Sequence, residues 1–160
     1  MVKTRPNGVG PSGTVNSAVS SAAPPLLQRS LSRQDGGLDI YVSELTASGS
    51  FGPPVLVNEL SGALNDVTPG VRHDGLEVII ASNREGSIGA QDLWVSTRKA
   101  VGDPWLAPVN PGPVINSSGN DNFPSLSSDR ETLFFSSDRP GGLGGSDIYI
   151  STRSKRNRRR

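Results

Sequence analysis

The stretch "NDNFPSLSSDRETLFFSSDRPGGLGGSDIYIST", residues 120–152, decides the fold because it has a twin. It aligns without a gap on "NDVTPGVRHDGLEVIIASNREGSIGAQDLWVST", residues 65–97. Paired positions include Asn65/Asn120, Asp66/Asp121, Pro69/Pro124, Asp74/Asp129, Ser82/Ser137, Arg84/Arg139, Gly86/Gly141 and Gly89/Gly144. A shorter copy, "GGLDIYVSE" (36–44), matches "GAQDLWVST" (89–97) and "GGSDIYIST" (144–152). The anchor aspartates Asp39, Asp92 and Asp147 stand 53 and 55 residues apart. Self-similarity at such a period is the signature of a repeat architecture, in which each unit buries its apolar face against the next.

The unit reads as short strands. "PSLSS" (124–128) is a polar strand, and "SDRE" (128–131) a turn in which Asp129 can accept from nearby amides. The earlier copy carries "HDGL" (73–76), whose Asp-Gly pair is a hairpin signal. "TLFFSS" (132–137) is a buried strand, and "DIYIS" (147–151) alternates with period two. "PWLAPV" (104–109), whose "WLAPV" (105–109) matches "FGPPV" (51–55), begins a fourth strand whose prolines suit a sheet edge. Four short antiparallel strands per unit of about 55 residues is the pattern of a propeller blade.

The order Asn-Asp, Pro, Ser-x-Asp, apolar strand, Ser-Asp-Arg, Gly-rich loop, Asp-Ile-Tyr resembles the WD40-like repeat of TolB-type β-propellers over residues 34–152. Two departures occur: Arg130 stands where that family usually has Gly, and Ser87, Ala90 and Gln91 make the second Gly-rich loop poorer in glycine. The resemblance implies an all-β fold of antiparallel four-stranded blades, part of a six-bladed type of propeller. It also implies a periplasmic or cell-envelope setting and a role in protein–protein contacts. The residues carrying the repeat are expected to be structural: Asp66, Pro69, Asp74, Arg84, Asp92, Asp121, Pro124, Asp129, Asp138, Arg139 and Asp147.

The Gly-rich loop "GGLGGSD" (141–147) is a turn on its chemistry. A phosphate-cradling Walker loop needs a Lys, which is absent here. A dinucleotide loop opens a helix, whereas "DIYIST" is an alternating strand. The calcium-binding nonapeptide needs an Asp where Ser146 stands. His73 is the only histidine and there is no cysteine, so neither a zinc site nor a Ser–His–Asp triad is expected. No Gly-x-Ser-x-Gly elbow occurs. Neither cofactor nor metal is expected, and no catalytic residue is assigned. Trp94, Tyr41 and Tyr149 occupy equivalent third-strand positions and are expected to pack between blades. Asn116-Ser117-Ser118 matches a glycosylation sequon.

Charge is segregated. All 15 acidic residues lie between Asp35 and Asp147, against six basic residues in 35–152, a net charge of −9 there. Residues 1–34 hold four basic residues and no acid, and 153–160 hold six basic residues. We read 1–34 as a disordered basic segment, 35–152 as the propeller repeats and 153–160 as a disordered basic tail. The tail would bind nucleic acid only non-specifically. No apolar run is long enough to span a membrane, and no signal-peptide core is seen. With 33% hydrophobic residues, 19 Gly and 13 Pro, the composition suits strands and tight turns.

These counts give one complete blade, roughly half of the one before and most of the one after. Closed propellers have about four to eight blades. The chain is therefore expected to be a fragment, a truncated product, or a protomer that completes a ring with copies of itself. The expected function is a non-catalytic propeller that binds a protein partner or self-associates through its incomplete blades. The alternative is part of a carbohydrate-active propeller, binding or hydrolysing glycans.

Overall fold

The computed structural model describes residues 37–154 in full, together with the backbone of two earlier strands. Ten strands follow in order: β1 (Val15–Asn16), β2 (Leu26–Ser32), β3 (Leu38–Glu44), β4 (Val55–Leu56), β5 (Asp66–Val71), β6 (Glu77–Ser82), β7 (Asp92–Thr97), β8 (Asp121–Leu126), β9 (Thr132–Ser137) and β10 (Asp147–Thr152). No helix occurs among the described residues. The strands form three antiparallel sheets in the orders β1-β2-β3-β4, β5-β6-β7 and β10-β9-β8.

The 55-residue offset holds in register as well as in sequence. Asp66 lies opposite Ser82, and Asp121 opposite Ser137. Both inner strands slip register at the same place, between Val67 and Gly70 and between Asn122 and Ser125. At each slip one non-glycine residue has positive φ, Thr68 at 47° and Phe123 at 52°. Bulges of this kind bend a strand and sharpen its twist. The buried Pro69 and Pro124 follow directly, where the bulge spares the ladder an amide donor.

Two apolar layers lie between the sheets. Ile40 and Leu60 meet Val78, Ile80, Trp94 and Trp105 between the first and second sheets. Ile79, Ala81 and Leu93 meet Phe135 between the second and third, with Leu133 and Tyr149 packed alongside. Strand β6 is buried at every position because both of its faces lie against a neighbouring sheet. Trp94 and Tyr149 do pack between sheets, Tyr149 stacking on Phe135 with ring centroids 6.0 Å apart.

Several expectations are corrected. Among the described residues only the first sheet has four strands. In the second, residues 105–109 reach the outer edge of β7 through Leu106 N–H to Thr97 C=O and a reciprocal pair between Val95 and Val109. Prolines 104, 108 and 111 keep that contact to an isolated bridge. Among the described residues the third sheet has three strands. The first sheet is the fullest, not half a blade. Within 1–34, read above as disordered, Leu26–Ser32 pairs residue by residue with β3, and Val15–Asn16 with β2. Polar composition does not prevent backbone pairing when a neighbouring strand offers a free edge. The rest of 1–34 lies outside the described residues, as does 155–160. Arg153, assigned above to a disordered tail, is tied down by its ion pair with Glu77.

Candidate functional site

The repeat motif assembles into a clasp that occurs twice. Asp121, wholly buried, accepts from Arg139 Nη2 at 2.8 Å, from Ser117 N–H at 2.6 Å and from Ser117 Oγ at 3.0 Å. Arg139 also donates to Ser137 Oγ at 2.9 Å and to the Ile115 carbonyl at 2.7 Å. One repeat earlier, the buried Asp66 accepts from Arg84 and from Gly62 N–H, and Arg84 reaches Ser82 Oγ and the Leu60 carbonyl. Each guanidinium lies over an aromatic ring, Arg84 over Trp94 at 5.5 Å and Arg139 over Tyr149 at 4.5 Å. The motif thus joins the start of the first strand, the end of the second and the preceding connection.

Asp92 and Asp147 close the Gly-rich loops. Asp92 accepts from Ile88 N–H at 2.7 Å, Gly89 N–H at 3.0 Å and Asn110 Nδ2 at 2.7 Å. Asp147 accepts from Leu143 N–H at 2.8 Å. Gly86 and Gly141 turn these loops at φ 93° and 91°. Asp74 and Asp129 sit in the hairpin turns, accepting from Leu76 and Glu131 amides two residues on. Asp138 is exposed and accepts from both the side chain and the amide of Asn120, which hold its carboxyl below the usual value.

Sequence reasoning missed two groups. Asn116, matched to a sequon, is buried, and its amide both accepts from Leu93 N–H (2.8 Å) and donates to Leu93 C=O (3.0 Å). That closed pair makes it a clamp on β7 and removes it from reach of a modifying enzyme. Its counterpart Ser61 does the same for Ile40 with a single hydroxyl, so residue identity could not reveal the equivalence. The second is a charge network around Glu77: Arg72 Nη1 lies at 2.6 Å and Arg153 Nη1 at 2.6 Å, while Asp74 pairs with Arg72 and Arg130. Among the described residues no group of three His, Cys, Asp or Glu could hold a metal ion.

The forward side of the third sheet is different in kind. Register places Ile150 opposite Phe134 and Ile148 opposite Ser136 on that face. Ile148 is 71% exposed, Ile150 62% and Phe134 39%. Their counterparts one repeat earlier are Leu93, Val95 and Ile79, which pack against the third sheet. The same positions are core in the second sheet, where the third sheet follows, and open apolar surface in the third, where no further sheet follows among the described residues.

No protein-family model and no curated protein matches the chain. Among solved structures it is similar to TolB from Acinetobacter baumannii, with TM-score 0.58 and 17% identity, covering 89% of this chain and 30% of that one. It is also similar to a thermostable family-43 glycoside hydrolase, with TM-score 0.59 and 16% identity, covering 91% of this chain and 55% of that one. The chain thus spans under a third of one neighbour and just over half of the other. Both neighbours are β-propellers, and at these identities the likeness is one of fold: the chain is built of propeller-like antiparallel sheets.

Proposed function

We propose that the chain is a non-catalytic β-propeller module that engages protein, in a six-bladed type of arrangement and in a cell-envelope setting of the kind TolB occupies. The observation that carries this is the forward face of Ile148, Ile150 and Phe134. It is apolar, contiguous across β9 and β10, and open where the equivalent face of the second sheet is covered. Covering each large side chain is worth about 1.5–3 kcal/mol, and contiguous apolar patches of this kind mark contact surfaces. The repeat carboxylates Asp66, Asp121 and Asp92 are engaged by arginine, amide or asparagine donors and support packing. The test is a photo-crosslinking residue at position 148, with position 51 as control. Protein crosslinks at 148 and a sedimentation coefficient that falls in the Ile148→Lys, Ile150→Lys variant are expected. Turnover of an envelope glycan by the purified chain, or equal crosslinking at both positions, overturns the reading.

A further inference from the structure

A cavity of about 300 Å³ lies between the second and third sheets. Its lining includes Leu93, Ile115, Leu126, Leu133 and Arg153. One repeat back these positions are Ile40, Leu60, Val71, Val78 and Arg98: Ile40, Leu60 and Val78 share one core cluster with Trp105, Val71 packs against that cluster, and Arg98 lies over the Trp105 ring. Trp105 is buried there, with the Arg98 guanidinium 4.2 Å from its ring centroid. The cavity is therefore the socket that Trp105 occupies in the preceding interface. Arg153 already takes the place of Arg98: each donates its Nε–H to the carbonyl at the hairpin turn, Arg153 to Arg130 at 2.8 Å and Arg98 to Gly75 at 2.7 Å.

The strand beside this socket is open in the same register. In the second sheet the segment that delivers Trp105 runs on along β7. Leu106 N–H bonds Thr97 C=O at 3.0 Å, Val109 exchanges two bonds with Val95 at 2.9 Å, and Ser96 Oγ donates to the Leu106 carbonyl. The counterparts on β10 are Thr152, Ile150 and Ser151. Strand β10 is the sheet edge, and among the described residues nothing pairs with its outer side. In the sequence, the position one repeat after Trp105 is Arg160, whose charge is costly to bury unpaired in an apolar socket.

We infer that the outer edge of β10 and the adjoining socket accept an extended segment of a partner protein, with an aromatic anchor followed four residues later by a β-branched residue. The anchor fills the cavity, and the segment adds a fourth strand to the third sheet by backbone pairing. Strand addition to a free edge draws affinity from main-chain bonds and specificity from a side-chain pocket. An aromatic side chain buries about 150–250 Å², and such anchors dominate interfaces when fully desolvated. Proline is tolerated on the outer side of this segment because an edge strand leaves amides unused. This rests on the protein-binding reading above and names the partner's chemistry at a separate surface, behind the third sheet instead of on its forward face.

The probe is a fluorescent peptide with the sequence of residues 103–111, DPWLAPVNP, titrated with the full chain. Saturable binding is expected, weakened more than tenfold when the peptide Trp is replaced by Ala. Two chain variants read the two halves of the site. Val114→Lys places a charge at the socket, at a position 85% exposed and so without cost to the fold. Ile150→Pro removes the amide that by repeat position faces outward, leaving the β9 side of the ladder intact. Each should weaken the peptide at least tenfold with little change in melting temperature. Ile148→Lys should leave peptide binding unchanged even if it abolishes forward-face contacts, so the two proposals fail separately. Absence of binding up to roughly 1 mM, or equal affinity for the Trp and Ala peptides, overturns the inference.

Discussion

Arg153 and Glu77, 76 positions apart in the chain, meet as a two-pronged ion pair, Nη1 to Oε1 at 2.6 Å and Nη2 to Oε2 at 2.7 Å. The pair ties the end of β10 to the start of β6, so it fastens the third sheet to the second. Burial of Glu77 opposes its ionisation, but the Arg153 hydrogen bonds and the charges of Arg153 and Arg72 outweigh this and lower its pKa. A carboxyl lowered in the folded state contributes stability above its unfolded pKa and loses it as pH falls through the folded value. Glu77→Gln should therefore destabilise the chain at pH 7 and cost progressively less below about pH 4. With Arg153 half exposed, the pH 7 cost is about 1–3 kcal/mol. Urea unfolding at stepped pH checks this, and a cost independent of pH would refute it.

Arg130 and Gly75 occupy the same turn position and share the same backbone angle, φ 71°. Only glycine accepts that region without a Cβ penalty, which is roughly 1–2 kcal/mol for other residues. Arg130 regains part of this through Asp74 at 3.1 Å, but the guanidinium is more than half exposed and the pair is weak. Arg130→Gly should leave stability unchanged or raise it by up to about 1 kcal/mol, whereas Gly75→Ala should lower it by about 1–2 kcal/mol. Thermal melts of the two variants test the sign difference.

The repeat was legible because the gapless match of 65–97 on 120–152 carries polar landmarks as well as apolar periodicity. Asp66, Arg84, Asp92 and their partners 55 residues on are the groups that close the turns and loops, so motif and structure coincide there. Other features carried no residue-type signal. Strand β2, LLQRSLS, lacks a clear apolar alternation, and its backbone pairing leaves no mark in composition. Arg153 reads as the first residue of a basic tail until the turn around Arg130 and the carboxylate of Glu77 are placed beside it. The positive φ of Thr68 and Phe123 falls on residues that disfavour it, and it appears only where the register of each inner strand slips. The Trp105 socket is visible only when the third sheet is laid over the second.

Asp121 and Asp129 provide a contrast between two motif carboxylates. Asp121 is buried and holds Arg139, which in turn lies over Phe135 and Tyr149. Removing one partner of a buried pair strands the other charge, at a cost of about 3–5 kcal/mol. Asp129 lies in an exposed turn and accepts from Glu131 N–H at 2.9 Å. Asp121→Ala should therefore cost several times more than Asp129→Ala, whose loss is about 1 kcal/mol. Equal losses in chemical denaturation would show that the clasp does not hold the blade.

Gly70 and Pro124 mark a close approach between the second and third sheets. A Cβ on Gly70 would stand 2.2 Å from the Pro124 carbonyl oxygen and 3.0 Å from its carbonyl carbon, both backbone atoms that cannot swing aside. Gly70→Ala must therefore push β5 and β8 apart. Overpacking of this kind costs about 1–3 kcal/mol or more, and the strain falls on the interface that also holds the Glu77–Arg153 pair. One repeat on, the same position is Ser125, exposed and, among the described residues, with no further sheet laid against it. Ser125→Leu, which adds bulk at this exposed position, should accordingly be neutral to within about 0.5 kcal/mol. If Ser125→Leu proves as harmful as Gly70→Ala, then a sheet packs against the third one in solution as the third packs against the second. Running both variants at low and high protein concentration separates these cases, because a partner supplied by association acts only at the higher one.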